Sequence, residues 1–140
     1  MSKNATTIKG TEQNRANQAY EYAKKGSELS DNAPKEYKAY VKRIPMMIKT
    51  NGLGATFAFV FSKRNKSDAY GCIYGQVTDW IINHKNYLIS NSDTPLTNDL
   101  SEQIVQLDSA QYRAVTVEVL ALFQWMRRFA EGLIVEDEQP

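Results

Sequence analysis

Apolar residues recur at intervals of three and four along most of this chain, which is the spacing of one face of an α-helix. The clearest run lies in the last third and passes through Tyr112, Val115, Val119, Leu122, Met126, Phe129 and Leu133. Asp108 precedes this run, and Gln111 follows Asp108 by three residues, as in a capping box. The pattern predicts a helix over 109–133 that forms the centre of the fold.

Five further stretches show the same spacing together with signals for helix starts. Thr11 and Ser67 are candidate N-caps, and Thr94 precedes Pro95 in the order of a cap followed by proline at the first helical position. The predicted helices lie near 11–26, 34–44, 45–63, 67–88 and 95–106.

The stretch PMMIKTNGLGATFAFVF, residues 45–61, fits both a β-hairpin and a helix. Asn51-Gly52 between apolar runs is typical of a type I′ hairpin turn, and the phenylalanines that follow favour strands. An isolated hairpin is only marginally stable in water, and no other stretch alternates apolar and polar residues as a half-buried strand does. The helical interpretation is therefore preferred: Pro45 separates two helices, and Asn51-Gly52 marks a junction before a buried helix over 53–62.

These elements predict an all-α protein, a compact single-domain bundle of about six helices over 1–140. The chain has 140 residues, 42% of them hydrophobic, which is enough for a core without disulfides or metals. We expect residues 1–10 to form a flexible N-terminal tail and residues 135–140 an acidic C-terminal tail. The longest apolar run, Ala55–Phe61, is far shorter than the ~20 residues that a membrane span needs, and the polar start is no signal peptide. The sequence therefore predicts a cytoplasmic protein without membrane contact.

Charge is divided unevenly between the two halves of the chain. Residues 1–66 carry 13 Lys and Arg against 5 Asp and Glu, a net charge of +8, whereas residues 67–140 carry 4 against 11, a net charge of −7. A basic half attracts phosphate backbones, and opposite charges at two ends would favour head-to-tail contact between copies. The alternative is two solvated surfaces that differ only in sign.

Few residues offer catalytic or metal-binding chemistry. The single cysteine, Cys72, excludes an internal disulfide. With His84 as the single histidine, the sequence offers too few of the usual ligands to predict a structural zinc site. We expect His84 to pack or form an ordinary hydrogen bond, Cys72 to be a small buried residue, and Trp80 and Trp125 to lie in the core. The sequence predicts no catalytic residues, no metal and no cofactor, and so a protein that is not an enzyme.

Two segments carry a resemblance to a known family. IPMMIKTNGLGATFAF, residues 44–59, and VEVLALFQWMRRFAEGL, residues 117–133, resemble the signature segments of the small all-helical subunit of type III-B CRISPR effector complexes, also called Cmr or RAMP-module complexes. The likeness extends more weakly over residues 15–23 and to Tyr112. Together these stretches extend the resemblance over nearly the whole chain, and they occur in the order found in that family.

The resemblance implies a non-catalytic subunit in antiviral defence. Members of that family are helical bundles that stack in several copies beside the backbone subunits, which hold the guide RNA and cut the target. The implied role is to stiffen this assembly and to line the channel that receives target RNA. The implied partners are the other protein subunits, copies of the chain itself, and the duplex of guide and target RNA, mainly its target strand.

Four cations of the first half are candidate RNA contacts. Lys38, Lys42, Arg43 and Lys49 would present a basic face to target-strand phosphates, since Lys38 and Lys42 are one helical turn apart. The alternative is a protein-only adaptor of another multisubunit assembly, in which these residues meet acidic protein surfaces.

Three further residues are candidates for structural or interface roles. Asn51 and Gly52 form the helix junction, and Arg128 lies between core positions, where its guanidinium could bind a carboxylate or the carbonyls at that junction. Arg127 precedes Glu131 by four residues, which predicts an intrahelical ion pair.

Overall fold

The computed structural model describes residues 2–90 and 99–135, with side chains described from Gly10 onward. Within those ranges the chain forms α-helices and no strand, which confirms the all-α prediction. The α-helices are α1 Ser2–Ser27, α2 Ala33–Asn51, α3 Leu53–Lys63, α4 Asp68–Asp79, α5 Leu100–Ile104 and α6 Ser109–Leu133. A π-helical segment, Trp80–His84, and a 3₁₀ turn, Asn86–Leu88, follow α4. Residues 2–10, which were expected to belong to a flexible tail, lie within α1, whereas the acidic tail expected at 135–140 remains a prediction.

Helix α6 is the centre of the bundle, as its apolar stripe predicted. It packs against both α1 and α2. Its buried residues include Val115, Val119, Leu122, Phe123, Met126 and Ala130. The capping box is present: the Gln111 N–H donates to Asp108 Oδ1 at 2.8 Å, and the Asp108 N–H donates to Gln111 Oε1 at 3.1 Å. These reciprocal bonds fix the start of α6 at Ser109.

The boundary between α2 and α3 lies at Gly52, and the prediction that Pro45 separates two helices was wrong. Pro45 lies inside α2, because Ile44 and Ile48 on either side of it are both buried in the core and hold the helix continuous. Gly52 instead has a φ of +92°, which side-chain-bearing residues rarely adopt. The predicted junction at Asn51-Gly52, followed by a buried helix, is thereby confirmed.

The predicted helix over 67–88 was also wrong in its second half. Ser67 does cap α4, accepting a hydrogen bond from the Tyr70 N–H at 3.2 Å, but the α-helix ends at Asp79. The consecutive residues Trp80, Ile81 and Ile82 are all buried. Successive side chains on an α-helix point about 100° apart, so three in a row spread over more than half of the helix circumference. A π-helix has more residues per turn, so consecutive side chains diverge less and all three can face the core.

Two other predicted helix starts have different outcomes. Thr11 lies inside α1, which begins at Ser2, so Thr11 is not its N-cap. The predicted start at Thr94-Pro95 falls outside the described residues. In the described part of that element, Asp99 caps the short helix α5, accepting a hydrogen bond from the Ser101 N–H at 3.2 Å.

A charged cluster that the sequence analysis did not single out joins α1, α6 and the π-helical segment. Arg15 donates to both carboxylate oxygens of Glu118, from Nε at 2.8 Å and from Nη2 at 2.9 Å. The indole N–H of Trp80 also donates to Glu118 at 2.8 Å. Burial alone would raise the pKa of Glu118, but the hydrogen bonds from Arg15 and Trp80 hold that pKa below its ordinary value. The cluster therefore ties three elements together through one ionised carboxylate.

The division of charge along the sequence is not a division in space. Helix α6, from the acidic half, packs directly on α1 and α2, from the basic half. The two halves are therefore interleaved, and any basic or acidic surface must be located from the structure.

Candidate nucleic-acid interface

A groove of about 460 Å³ runs between α2 and α6. The two helices are antiparallel, because Lys38 near the start of α2 contacts Ile134 just after α6, while Gly54 just after α2 contacts Tyr112 at the start of α6. The groove is lined by Pro45, Lys49, Val117, Leu120, Ala121, Phe123, Gln124, Arg127 and Arg128. Its floor is largely apolar, and its polar groups come from both helices.

The groove is basic. Lys49, Arg127 and Arg128 are all exposed and line it, whereas none of its described lining residues is acidic. Glu131 lies next to the groove and its carboxylate is 4.0 Å from the Arg127 guanidinium, which confirms the predicted intrahelical pair. Both members of that pair are about half exposed, so it offsets little of the local positive charge.

Two other predicted RNA contacts lie along the same side of α2. Lys42 is exposed and precedes Pro45 by three residues, which places it on the side of α2 that borders the groove. Lys38 lies one turn earlier, and its amine donates to the carbonyl of Ile134 at 3.1 Å. This bond satisfies a carbonyl at the C-terminal end of α6, so Lys38 has a structural contact that the sequence analysis did not foresee.

Arg43 lies on a different side of α2. Its guanidinium carbon is 5.3 Å from the centre of the Tyr40 ring, and Tyr40 stacks on Tyr70 of α4 with ring centres 3.9 Å apart. Since Lys42 and Arg43 are adjacent on a helix, their side chains point about 100° apart. The four predicted contacts therefore form one line of three lysines and one separate arginine.

The junction at Asn51-Gly52 is contacted by a tyrosine. The Tyr112 hydroxyl accepts a hydrogen bond from the Gly54 N–H at 2.8 Å, and a Cβ atom on Gly52 would lie 3.3 Å from the same hydroxyl. Arg128, which was expected to bind a carboxylate or this junction, lines the same groove as Lys49. The structural or interface roles of Asn51, Gly52 and Arg128 remain predictions.

The sequence analysis did not predict that Lys49, Arg127 and Arg128 line the same groove. These residues are far apart in the chain and come together only because α2 and α6 pack side by side. One signal was present: Arg127 and Arg128 precede the single carboxylate of Glu131 by four and three residues, and one carboxylate cannot neutralise both cations.

The residues with reactive side chains have ordinary structural surroundings. Burial raises the pKa of the Cys72 thiol to about 11, which keeps it protonated and unreactive near neutral pH. His84 is exposed; it stacks on Trp80 and lies 3.6 Å from Asp79. No group of three or more potential metal-ligating side chains occurs in the described part of the chain.

The two tryptophans differ in burial. Trp80 is 2% exposed and lies in the core, as predicted. Trp125 is half-buried, stacks on Phe129, and donates to Glu12 of α1 at 3.1 Å, so it lies at the edge of the α1–α6 contact rather than inside the core. Among the described residues, no helix is both long and apolar enough to cross a membrane.

Comparisons with known proteins agree with this architecture. A model of the family described as CRISPR-associated protein (Cas_Cmr5) matches residues 11–133. The CRISPR system Cmr subunit Cmr5 of Thermus thermophilus is 27% identical over 122 residues, which cover 86% of this chain and 93% of that protein. The X-ray crystal structure of a CRISPR-associated Cmr5 family protein from the same organism has a TM-score of 0.68 at 24% identity, covering 89% of this chain and 97% of that one.

The similar crystal structure supports the helical fold, and the family match covers both segments that carried the resemblance in the sequence. The family inferred from those segments is therefore confirmed. Because the family model matches most of the chain, from residue 11 to residue 133, this chain belongs to the Cas_Cmr5 family of CRISPR-associated proteins.

Proposed function

We propose that this chain is the non-catalytic small subunit of a type III-B CRISPR effector complex of the Cmr class, where it stacks with copies of itself and lines the channel for target RNA. Its family, and the name of its relative as a Cmr subunit, support membership of such a complex. Its partners are then the other Cmr proteins. The chain contributes surfaces for assembly, and cleavage belongs to other subunits.

The RNA part of this proposal rests on one observation, the basic groove between α2 and α6. Lys49, Arg127 and Arg128 converge there with no acidic residue among the described lining, and Lys42 extends the basic surface along α2. Such cations bind phosphates without reading bases, so sequence selection is left to pairing between guide and target. Lys38, which continues the line of lysines, and Arg43, on a different side of α2, remain proposed contacts.

The first prediction concerns RNA affinity. Changing Lys42, Lys49 and Arg128 together to Ala lowers the affinity for single-stranded RNA and reduces the slope of log affinity against log salt by about 2, at ~0.7 per lost phosphate contact. Fluorescence anisotropy with a labelled RNA at several salt concentrations measures both quantities. Two unrelated RNA sequences should give the same result, since phosphate contacts carry no sequence information.

A matched control removes the same charge elsewhere. Lys24, Lys63 and Lys66 are exposed cations outside the groove, and their triple Ala variant should keep a larger salt slope than the groove variant. Equal slopes for the two variants would show that net charge, rather than the groove, governs RNA binding.

A second candidate function is a protein-only adaptor. The apolar floor of the groove and Val117, which lines it and is 68% exposed, favour contact with a protein surface. Co-purification with Cmr partners separates the two functions. If the groove variant binds RNA normally but is lost from the complex, the groove binds protein and the RNA assignment is wrong.

The second prediction concerns self-association. If copies stack through charge, with the basic groove of one copy against acidic side chains of the next, the association should be weak and should weaken further as salt rises from tens to hundreds of millimolar, because screening there acts over ~8 to 10 Å. Sedimentation velocity at several concentrations measures this association. A species that is independent of salt, or a closed dimer that does not grow, would contradict head-to-tail stacking through charge.

A further inference from the structure

Another pocket, of about 290 Å³, lies between α1 and the π-helical segment. Its lining comes from both elements and from the residue that follows the segment: Asn14, Asn17, Gln18, Glu21, Trp80, His84 and Lys85. It shares no lining residue with the α2–α6 groove. A ligand bound in this pocket therefore does not depend on the proposed RNA contact.

The pocket contains a buried lysine. Lys85 is only 8% exposed, and its amine nitrogen lies 5.3 Å from the centre of the Trp80 ring and 5.8 Å from that of Tyr87. Ring faces attract a cation, but they offer no oxygen acceptor to the three N–H donors of the ammonium. Within the described part of the chain, Lys85 has no hydrogen-bonded or ion-paired side-chain partner. Because a buried charge needs such a partner, Lys85 favours an anionic oxygen in the pocket.

The neighbouring acid Glu118 does not fill this role. Glu118 is within electrostatic range of Lys85, but both of its oxygens already accept hydrogen bonds from Arg15. The indole N–H of Trp80 donates to one of the same oxygens. This carboxylate is thus occupied by other donors, and the amine of Lys85 is left for a ligand.

Helix α1 contributes a polar stripe to the pocket. Asn14, Asn17, Gln18 and Glu21 are spaced by three, one and three residues, which places them on one face of the helix. None of these four side chains has a hydrogen-bond partner among the described residues. Each amide offers acceptor and donor groups that match the edge of a nucleobase, and a carboxylate accepts hydrogen bonds from ribose hydroxyls. The stripe therefore suits a base and a sugar, whereas Lys85 suits a phosphate.

We propose that this pocket binds a nucleoside monophosphate, either as a free nucleotide or as one unit of an RNA chain. Lys85 binds the phosphate, the three amides of α1 bind the base, and Glu21 binds the ribose hydroxyls. The volume is near the lower end of the range for small-molecule sites, about 300 to 1,000 Å³, which suits a mononucleotide. His84, which stacks on Trp80 and lines the pocket, adds aromatic surface for the base. An inorganic anion or a partner's carboxylate would use Lys85 but leave the polar stripe unpaired.

Two-dimensional ¹H–¹⁵N NMR of the full-length protein tests the site, with AMP, GMP, CMP and UMP as probes. We expect saturable shifts of the side-chain amide signals of Asn14, Asn17 and Gln18 and of the backbone signals of residues 80–88. At least one nucleotide should bind about tenfold more tightly than both inorganic phosphate and its own nucleoside, because it alone engages both the lysine and the stripe. Equal affinity for phosphate and nucleotides overturns the proposal, and so do shifts confined to the α2–α6 groove or the absence of shifts.

A lysine variant tests the phosphate contact. Lys85→Met keeps an unbranched side chain against Trp80 but removes the charge, so it should weaken nucleotide binding about tenfold and leave nucleoside binding unchanged. Lys63→Met, which removes an exposed lysine of α3 outside the pocket, is the matched control and should change neither. Equal losses in the two variants overturn the assignment of the phosphate to Lys85.

The amides of α1 are tested at exposed positions, where the fold is not at stake. The double variant Asn14→Ala and Asn17→Ala should weaken nucleotide binding about tenfold but leave phosphate binding unchanged. If nucleotide affinity is unchanged, the polar stripe does not bind the base and the proposal fails, whatever the stability of Lys85→Met.

The source of the nucleotide is distinguished in the groove variant, by NMR titration with a short single-stranded RNA and with mononucleotides. Shifts of the pocket signals with RNA identify a nucleotide within a chain, and shifts with mononucleotides alone identify a free nucleotide. Either result supports the pocket. If the groove variant binds mononucleotides normally and RNA as tightly as the wild type does, the proposed RNA contact at the groove fails and the nucleotide site stands.

Discussion

Replacing Phe57 by Ala should lower the free energy of unfolding by roughly 3 to 5 kcal/mol, because it removes a large side chain from the core and leaves a cavity. Phe57 lies on α3 and is 0% exposed. Leu122 of α6 is equally buried, and Leu122→Ala should cost roughly 2 to 5 kcal/mol for the same reason. The shift in the midpoint of urea unfolding measures both effects.

Phe59 is the matched control for Phe57. It lies two residues later on the same helix but is 36% exposed, with one edge-to-face contact to Tyr70. Phe59→Ala should therefore cost clearly less than Phe57→Ala. If the two phenylalanine variants were equally destabilised, the placement of α3 against the core would be wrong.

Replacing Glu118 by Gln should destabilise the fold by roughly 3 kcal/mol. The change preserves shape but removes the buried counter-charge of the Arg15 guanidinium, which then keeps only its pair with the exposed Glu12, and losing one member of a buried ion pair is costly. The contributions of Glu118 and Arg15 to stability should also be coupled. In a double-mutant cycle with Arg15→Met, the losses of unfolding free energy in the two single variants should add up to more than the loss in the double variant. Glu131→Gln, which removes half of the exposed Arg127 pair, is the control and should change stability by only tenths of a kcal/mol.

The same cluster predicts how stability depends on pH. The folded-state pKa of Glu118 lies below its ordinary value of 4.5, so its stabilising contribution is present above that pH and is lost as pH falls through the folded pKa. Denaturant unfolding between pH 3 and pH 6 should therefore show a smaller loss of stability on acidification for Glu118→Gln than for the wild type. An identical pH dependence would mean that the Arg15–Glu118 pair contributes nothing to the difference in bound protons between the folded and unfolded states.

Local sequence patterns were sufficient where one helix buries one continuous stripe. The apolar spacing in 109–133 predicted α6 with its correct ends, because Asp108 and Gln111 supply the cap within four residues of chain. The π-helical segment could not be predicted in this way. Trp80, Ile81 and Ile82 are buried in succession because of what packs around them, and a helical spacing of three and four does not predict three consecutive buried residues.

Pro45 shows the opposite limit of local rules. A proline inside a helix forfeits a hydrogen bond, which favoured a break there, but core contacts on both sides outweigh that loss and move the break to Gly52. The candidate site was only partly predictable for a related reason. Lys42 and Lys49 were identified from nearby stretches of sequence, whereas their relation to Arg127 and Arg128 depends on the pairing of two helices.

By itself, the sequence determined the helical class, the central helix, the junction at Asn51-Gly52 and the family, because periodicity, caps and short segments are encoded by neighbouring residues. Only the tertiary structure decided which charges meet. It interleaved the basic and acidic halves, buried Glu118 against Arg15, separated Arg43 from the lysines and brought Arg128 and Lys49 into the lining of one groove. The physical reason is that electrostatic and packing partners are set by distance in space, and residues far apart in sequence come close together only when the helices pack.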